Sequence, residues 1–208
     1  MILGLDVSTS ITGASIIDKY GDLIYCQAWR TDKKGLSFYQ KLDIIKENIL
    51  FIRAQYPIEM VYVEEPLGMF ASGRSSAQII SKIQRFNGAT CWILSQAFKL
   101  EPKYINTFTA RKKCGISVKR GQNSKEIVLK NILENYKNFK AEYTKKGNPI
   151  KGTYDRADSV VVAKAGHYLF EEERNNKGLS NEVDGNKIKT NNSRRTANNA
   201  ARAKNEQR

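Results

Sequence analysis

The chain of 208 residues carries 35 Lys and Arg against 21 Asp and Glu, a net charge of +14. This length suits one domain with a sizeable core rather than two. No run of roughly 18 apolar residues occurs, which argues against a membrane-spanning helix, and MILGLDVSTS lacks the basic start of a secretory signal. Three scattered cysteines match no disulfide framework or zinc motif, so we expect a reduced cytoplasmic protein. The positive charge favours a polyanionic partner, nucleic acid before a membrane surface.

The charge is concentrated in two segments. Residues 174–208 hold nine basic and three acidic residues, are rich in Asn and contain few large apolar side chains, which predicts a disordered basic tail after a folded domain at 1–173. Residues 111–151 hold twelve basic and three acidic residues. The basic character of the folded part therefore belongs to one segment, which is either a phosphate-facing surface or an ordinary solvated face.

Hydrophobic periodicity predicts strands first and then strands alternating with helices. Three β-rich runs at 2–7, 11–18 and 22–29 have short connections and predict an antiparallel meander. The remaining predictions are a helix within 36–55, a strand at 60–63, a loop at 66–73, a helix at about 75–99, a strand at 103–106, a short helix from Thr109, a helix from Asn123 or Ser124 to about Tyr136, a connector at 137–152 and a helix at about 154–172. This order indicates an α/β layer fold.

Four acids occupy positions that are unusual for solvated surface groups. Asp6 and Glu64 each end a buried-looking strand, and Asp155 and Asp158 lie three residues apart at the start of an apolar helix. Each acid alone has a structural explanation, such as a favourable interaction with the helix dipole. Together they would repel one another unless a cation lay between them, and Mg²⁺ prefers carboxylate oxygens. The set predicts a site for two metal ions, as in phosphodiester hydrolysis.

The four acids lie in three segments, ILGLDVSTSITGASIID, VYVEEP and YDRADSVVVAKAGHYL. In this order the segments resemble the opening strand and hairpin, the second acidic strand and the closing helix of the RuvC-like Holliday junction resolvases, within the ribonuclease H-like superfamily. The motifs follow the family's order over about residues 1–170. The resemblance implies an α/β, ribonuclease H-like fold with a mixed five-stranded sheet flanked by helices.

The resemblance also implies an activity and a partner. Members of the family are crossover junction endodeoxyribonucleases, which cut two opposed strands of a four-way DNA junction with Mg²⁺ or Mn²⁺. Matched residue by residue, Asp6, Glu64, Asp155 and Asp158 are the metal ligands, and Lys125 lies near the scissile phosphate. Glu65 is the weaker match for the second acid.

The family is homodimeric, and we take the helix at 75–99 as the candidate interface. The apolar residues of this helix that we predict to lie in the interface are Ile79, Ile80, Ile83, Phe86 and Trp92.

Further residues are candidates for DNA contact. In the loop at 66–73, Phe70, with Met69 beside it, is the candidate wedge that stacks on an unpaired base at the branch point. The basic candidates are Arg111, Lys112, Lys113, Lys119, Arg120 and Lys125.

Other functions remain open from the sequence. They are a ribonuclease H-like nuclease acting on RNA or a hybrid, a non-catalytic nucleic-acid-binding protein, and an actin-like phosphotransferase, whose first phosphate loop resembles the segment from Asp6 to Gly13.

The long connector at 137–152 and the tail differ from the family's pattern. They are similar to what divergent members have, including viral ones, and agree with a phage-encoded enzyme acting in the host cytoplasm.

Overall fold

The computed structural model describes residues 1–66 and 77–176. Its strands are β1 (Ile2–Asp6), β2 (Ile11–Ile17), β3 (Leu23–Arg30), β4 (Met60–Glu64) and β5 (Lys103–Ile105). They form one sheet in the order β3-β2-β1-β4-β5. Antiparallel pairing joins β1 to β2 and β2 to β3, whereas β4 runs parallel to both β1 and β5. The predicted mixed five-stranded sheet is confirmed.

The helices lie close to their predicted positions. They are α1 (Phe38–Gln55), α2 (Ala77–Phe98), α3 (Thr107–Lys113), α4 (Ser124–Asn135) and α5 (153–176). A capping box between Ser37 and Gln40 starts α1. Helix α3 begins two residues before the predicted Thr109, because the side chain of Asn106 accepts a hydrogen bond from the N–H of Phe108. None of the described helices combines the length and apolar composition that a membrane span needs.

Residues Met1–Tyr168 form one compact unit, which contains the sheet and α1 to α4. Residues 169–176, the described part of the remainder, are helical, and there Arg174 pairs with Glu171 at 3.3 Å. The predicted wedge residues Met69 and Phe70 lie outside the described residues, as does the predicted tail from residue 177 onwards.

One face of the sheet packs against α1 and α2. Leu3 and Leu5 of β1 are fully buried there, with Ile49 of α1 and Phe86 of α2. The prediction that Phe86 contacts a second subunit is wrong, because its ring packs edge-on against Phe38 inside the core. Apolar residues occur on more than one side of α2, and periodicity alone did not separate the inner positions from the outer ones.

The other face of the sheet receives α5, and glycines allow the close approach. Gly4 of β1 faces the backbone of Ala163, and Gly13 of β2 faces the carbonyl of Asp155; a Cβ atom at either glycine would overlap the helix backbone. Gly13 is also the register partner of Asp6. Because Gly13 has no side chain, the start of α5 can lie directly on β2, next to Asp6 at the end of β1.

We expect Gly13→Ala to destabilise the protein by about 1–3 kcal/mol, because the new methyl group must displace backbone rather than a flexible side chain. Gly88→Ala is the matched control: Gly88 is an exposed residue of α2 with open space at its Cβ position. That change should leave the stability equal or raise it by up to about 1 kcal/mol. Urea unfolding of both variants measures the difference. Equal stabilities for the two variants would contradict the close approach.

Candidate active site

Asp6 and Glu64 lie side by side because of the sheet's register. β1 and β4 are parallel neighbours, with Leu5 paired to Val63, so their carboxyl ends meet at one edge. Side chains alternate between the two faces of a strand. Asp6 follows Gly4 on the α5 side of β1, and Glu64 follows Tyr62 on the same side of β4. Both carboxylates therefore point to the layer that holds α5.

The first turns of α5 supply the other two acids. Asp155 and Asp158 lie one helical turn apart, on the part of α5 that packs on β2 at Gly13. Deeper in the same contact, the hydroxyls of Ser15 and Ser159 share a buried hydrogen bond of 2.7 Å. The depth and rotation of α5 on the sheet are thus set within two turns of the acids.

The four acids line one cleft of about 1020 Å³. Lys125, from the first turn of α4, lines the same cleft, and its ammonium group lies 5.8 Å from the centre of the Tyr154 ring. Its positive charge lowers the pKa of all four carboxyls. The four predicted metal ligands and Lys125 thus all line this cleft.

Burial and mutual repulsion disfavour the ionised carboxylates. The pKa of Asp6 is raised well above its usual value, first by burial and then by Glu64, Asp158 and Asp155. Burial and Glu64 raise the pKa of Asp158 to about 6, and burial raises those of Glu64 and Asp155. The cleft therefore has a surplus of acid that a cation would relieve.

Two residues of α3 contact these acids, and the sequence analysis did not predict these contacts. The hydroxyl of Thr107 donates a hydrogen bond of 2.5 Å to Glu64 Oε1. The Arg111 guanidinium lies 3.8 Å from Asp158 Oδ1, with only 22% of the Arg111 side chain exposed. Arg111 was predicted as a DNA contact, and the structure places it against an acid of the cleft. The contacts join residues 43 and 47 positions apart, so no local motif indicates them.

The donor chemistry of the cleft fits a hard divalent cation. It offers carboxylate oxygens, which such ions prefer. Burial and mutual repulsion make the ionised carboxylates unfavourable unless a positive charge lies between them. Within residues 1–66 and 77–176, however, no three Asp, Glu, His or Cys side chains converge as a closed ligand set. Oxygens of Glu64 and Asp158 are engaged by Thr107 and Arg111. The side chains of the cleft therefore suit a divalent cation in chemistry and charge. Among the described residues, they do not form a closed set of ligands around one point.

The predicted DNA-binding residues are spread around this cleft. Lys112 lines it, together with Arg111 and Lys125. Lys113 is half-buried beside the cleft lining, whereas Lys119 and Arg120 are exposed on the turn that precedes α4.

An exposed aromatic residue in the cleft was not predicted from the sequence. Phe108 of α3 lines the cleft with 75% of its surface exposed. The sequence does contain an indication of this exposed ring, since Phe108 stands close to the cap residue Asn106 at the start of a basic helix. Its ring is open to any flat apolar group that enters the cleft.

Asn87 of α2 connects the end of β4 to neighbouring elements. Its amide donates to the carbonyl of Glu64 at 3.4 Å and accepts from the hydroxyl of Tyr104 at 2.9 Å. The thiol of Cys91 donates to the same amide oxygen at 3.6 Å. Asn87 is buried, so these contacts satisfy a polar group within the core.

The fold is similar to the folds of solved Holliday junction resolvases. Thermus thermophilus RuvC in complex with a Holliday junction substrate shares 13% identity, over 82% of this chain and 94% of that one, with a TM-score of 0.58. A second Thermus thermophilus RuvC structure shares 15% identity over 82% and 96%, at 0.57. The yeast mitochondrial Holliday junction resolvase Ydc2 shares 13% identity over 88% and 83%, at 0.57. The fold implied by the sequence motifs is confirmed. No protein-family model and no curated protein matches the chain.

The raised pKa of Asp158 predicts how stability depends on pH without divalent cations. A raised folded-state pKa stabilises the fold fully below pH about 4, and this contribution is lost as the pH rises through about 6. In EDTA, the free energy of unfolding should therefore fall over this range, and Asp158→Asn should flatten the fall. Asp43→Asn, on the exposed surface of α1, serves as control. Identical pH profiles for the Asp158 variant and the unchanged protein would contradict the burial described for this carboxyl.

Proposed function

We propose that the protein is a divalent-metal-dependent DNA endonuclease that resolves four-way junctions by hydrolysing phosphodiester bonds. One observation carries the proposal: Asp6, Glu64, Asp155, Asp158 and Lys125 line a single cleft at the edge of a sheet with this topology. The resolvase likeness supports the same assignment, since one of the similar proteins is described with a Holliday junction substrate.

The residues of the cleft divide the work of such a reaction. Asp6, Glu64, Asp155 and Asp158 would hold Mg²⁺ or Mn²⁺, which supplies Lewis acidity and an activated water when bound. Lys125 brings a positive charge to the anionic phosphate and partly offsets the repulsion among the acids. Thr107 orients the carboxylate of Glu64 through its hydroxyl.

The surroundings of the cleft favour nucleic acid as substrate. Residues 111–151, which contain α4 and part of α3, carry twelve basic and three acidic residues. Lys112 and the exposed ring of Phe108 line the mouth of the cleft, so a phosphate backbone and an unstacked base would each find a complementary group. A small metabolite would not need this extended positive surface.

We expect Glu64→Gln to abolish nicking of a four-way junction in Mg²⁺ while junction binding persists, because the change removes a charge and keeps the shape. The matched control is Glu65→Gln: Glu65 is adjacent in sequence, exposed and outside the cleft lining, and this variant should cut normally. Cleavage of labelled four-way junction, fork, linear duplex and RNA–DNA hybrid is compared on gels. Normal turnover by Glu64→Gln would refute the site, and a preference for the hybrid would refute the junction substrate.

A homodimer completes the proposal, because two opposed strands must be cut and one cleft cuts one strand. Twofold symmetry of the protein would match that of the junction. Trp92 supports α2 as the interface: it lies on the outer side of the helix with 66% of its surface exposed. Large aromatic residues are enriched in subunit interfaces.

We expect the unchanged protein to have a dimeric mass by light scattering at micromolar concentration, and Trp92→Ala to shift it towards monomer. Tyr20→Ala is the control, since Tyr20 is 78% exposed on the turn between β2 and β3. That variant should stay dimeric. A monomeric unchanged protein with full junction cleavage would contradict the dimer without affecting the assignment of the cleft.

A further inference from the structure

The connector between α4 and α5 contains a β-hairpin at 141–150. Tyr143 and Pro149 form an antiparallel bridge, and the N–H of Thr144 donates to the carbonyl of Asn148 at 2.8 Å. At the tip, the N–H of Gly147 donates to the carbonyl of Thr144 at 2.9 Å, with Gly147 at φ +78°. The tip therefore has a defined turn, in which glycine supplies the left-handed conformation.

This hairpin is anchored to the active-site helix at its base. Arg156 of α5, next to Asp155, donates to the carbonyl of Lys140 at 2.8 Å, and its guanidinium lies 5.3 Å from the centre of the buried Phe139 ring. The same guanidinium is 3.9 Å from Glu142 and has only 12% of its side chain exposed. The base of the hairpin is therefore bound to Arg156, the residue of α5 that directly follows Asp155.

The charge of the connector faces solvent. Residues 137–151 contain five Lys and one acid, Glu142, which already lies beside Arg156. Lys145 and Lys146 occupy the tip of the hairpin, and both are exposed. Within residues 1–66 and 77–176, neither forms an ion pair. Two adjacent unneutralised ammonium groups at a hydrogen-bonded turn have a charge complementary to consecutive phosphates.

The hairpin also lies close to the acidic cleft. A second cleft of about 400 Å³ is bounded by Tyr143 and Pro149 of the hairpin, by Leu133 of α4 and by Tyr154 of α5. Tyr154 directly precedes Asp155, and the Lys125 ammonium group lies over the face of the Tyr154 ring. The hairpin is therefore near enough to the acids to contact a neighbouring part of a nucleic acid bound at the cleft.

We infer that the 141–150 hairpin is a phosphate-binding element that holds a duplex arm of branched DNA beside the active site, through Lys145 and Lys146. This inference rests on the proposed function. The contacts are to backbone phosphates and fix the position of the arm without reading its sequence. They form a binding surface separate from the catalytic residues, so loss of the lysines weakens binding and leaves the chemical step intact.

The test compares Lys145→Gln/Lys146→Gln with a matched control, Lys46→Gln/Arg53→Gln, which removes two exposed charges from α1 on the opposite face of the sheet. Binding of a fluorescent four-way junction is measured in EDTA over a series of NaCl concentrations. The slope of log Kd against log [NaCl] should fall by about 2 for each bound protomer of the hairpin variant, about 4 for the proposed dimer, and stay unchanged for the control. Shortening the junction arms should weaken the unchanged protein and the control, but not the hairpin variant.

The outcomes separate the two proposals. A hairpin variant with the same slope and arm-length dependence as the control overturns the inference, even if the unchanged protein binds and cuts junctions. An unchanged protein that neither binds nor cuts junctions overturns the proposed function and the inference with it. A loss of slope on single-stranded RNA that exceeds the loss on the junction would overturn the assignment of a duplex arm. Saturating single-turnover cleavage by the hairpin variant should equal that of the unchanged protein.

Discussion

The close contact between α5 and the first two strands is the constraint on which the candidate site depends. Helix backbone can touch sheet backbone only where side chains are absent, and Gly4 and Gly13 provide this on two neighbouring strands. The contact lies immediately beside Asp6, because Gly13 is the register partner of Asp6. A bulkier interface would hold α5 farther from the sheet and separate Asp155 from the strand ends. Packing, rather than any property of the acids, thus creates the cleft.

That packing has an electrostatic cost, and the neighbouring elements limit it. Half-buried carboxyls close to one another resist ionisation, which is why the pKa of Asp6 is raised by burial and by the other acids. Lys125 from α4, with Thr107 and Arg111 from α3, opposes this effect by interacting with the ionised forms. The elements after β5 therefore line the cleft and compensate part of its charge.

The sequence predicted the parts of the site that follow local rules. Asp6 and Glu64 each end an apolar run, and Asp155 opens an apolar helix, so their positions could be derived from periodicity. The contacts of Thr107 and Arg111 could not, because they depend on how α3 lies across the sheet. Phe86 was misplaced because an apolar residue on a helix fits a core and an interface equally well. The connector was predicted without its hairpin, although Gly147 and Pro149 are turn residues that could have indicated one.

The hydrogen bonds of Asn87 have a consequence for how mutational data on this protein combine. One buried amide joins the carbonyl of Glu64, the hydroxyl of Tyr104 and the thiol of Cys91, so the strand end, the edge strand and α2 share a polar network. Substitutions within such a network are generally non-additive, by about 0.5–3 kcal/mol. Effects measured separately on the side chains of Cys91 and Tyr104 should therefore not be summed. A double-mutant cycle between these two residues would give their energetic coupling directly.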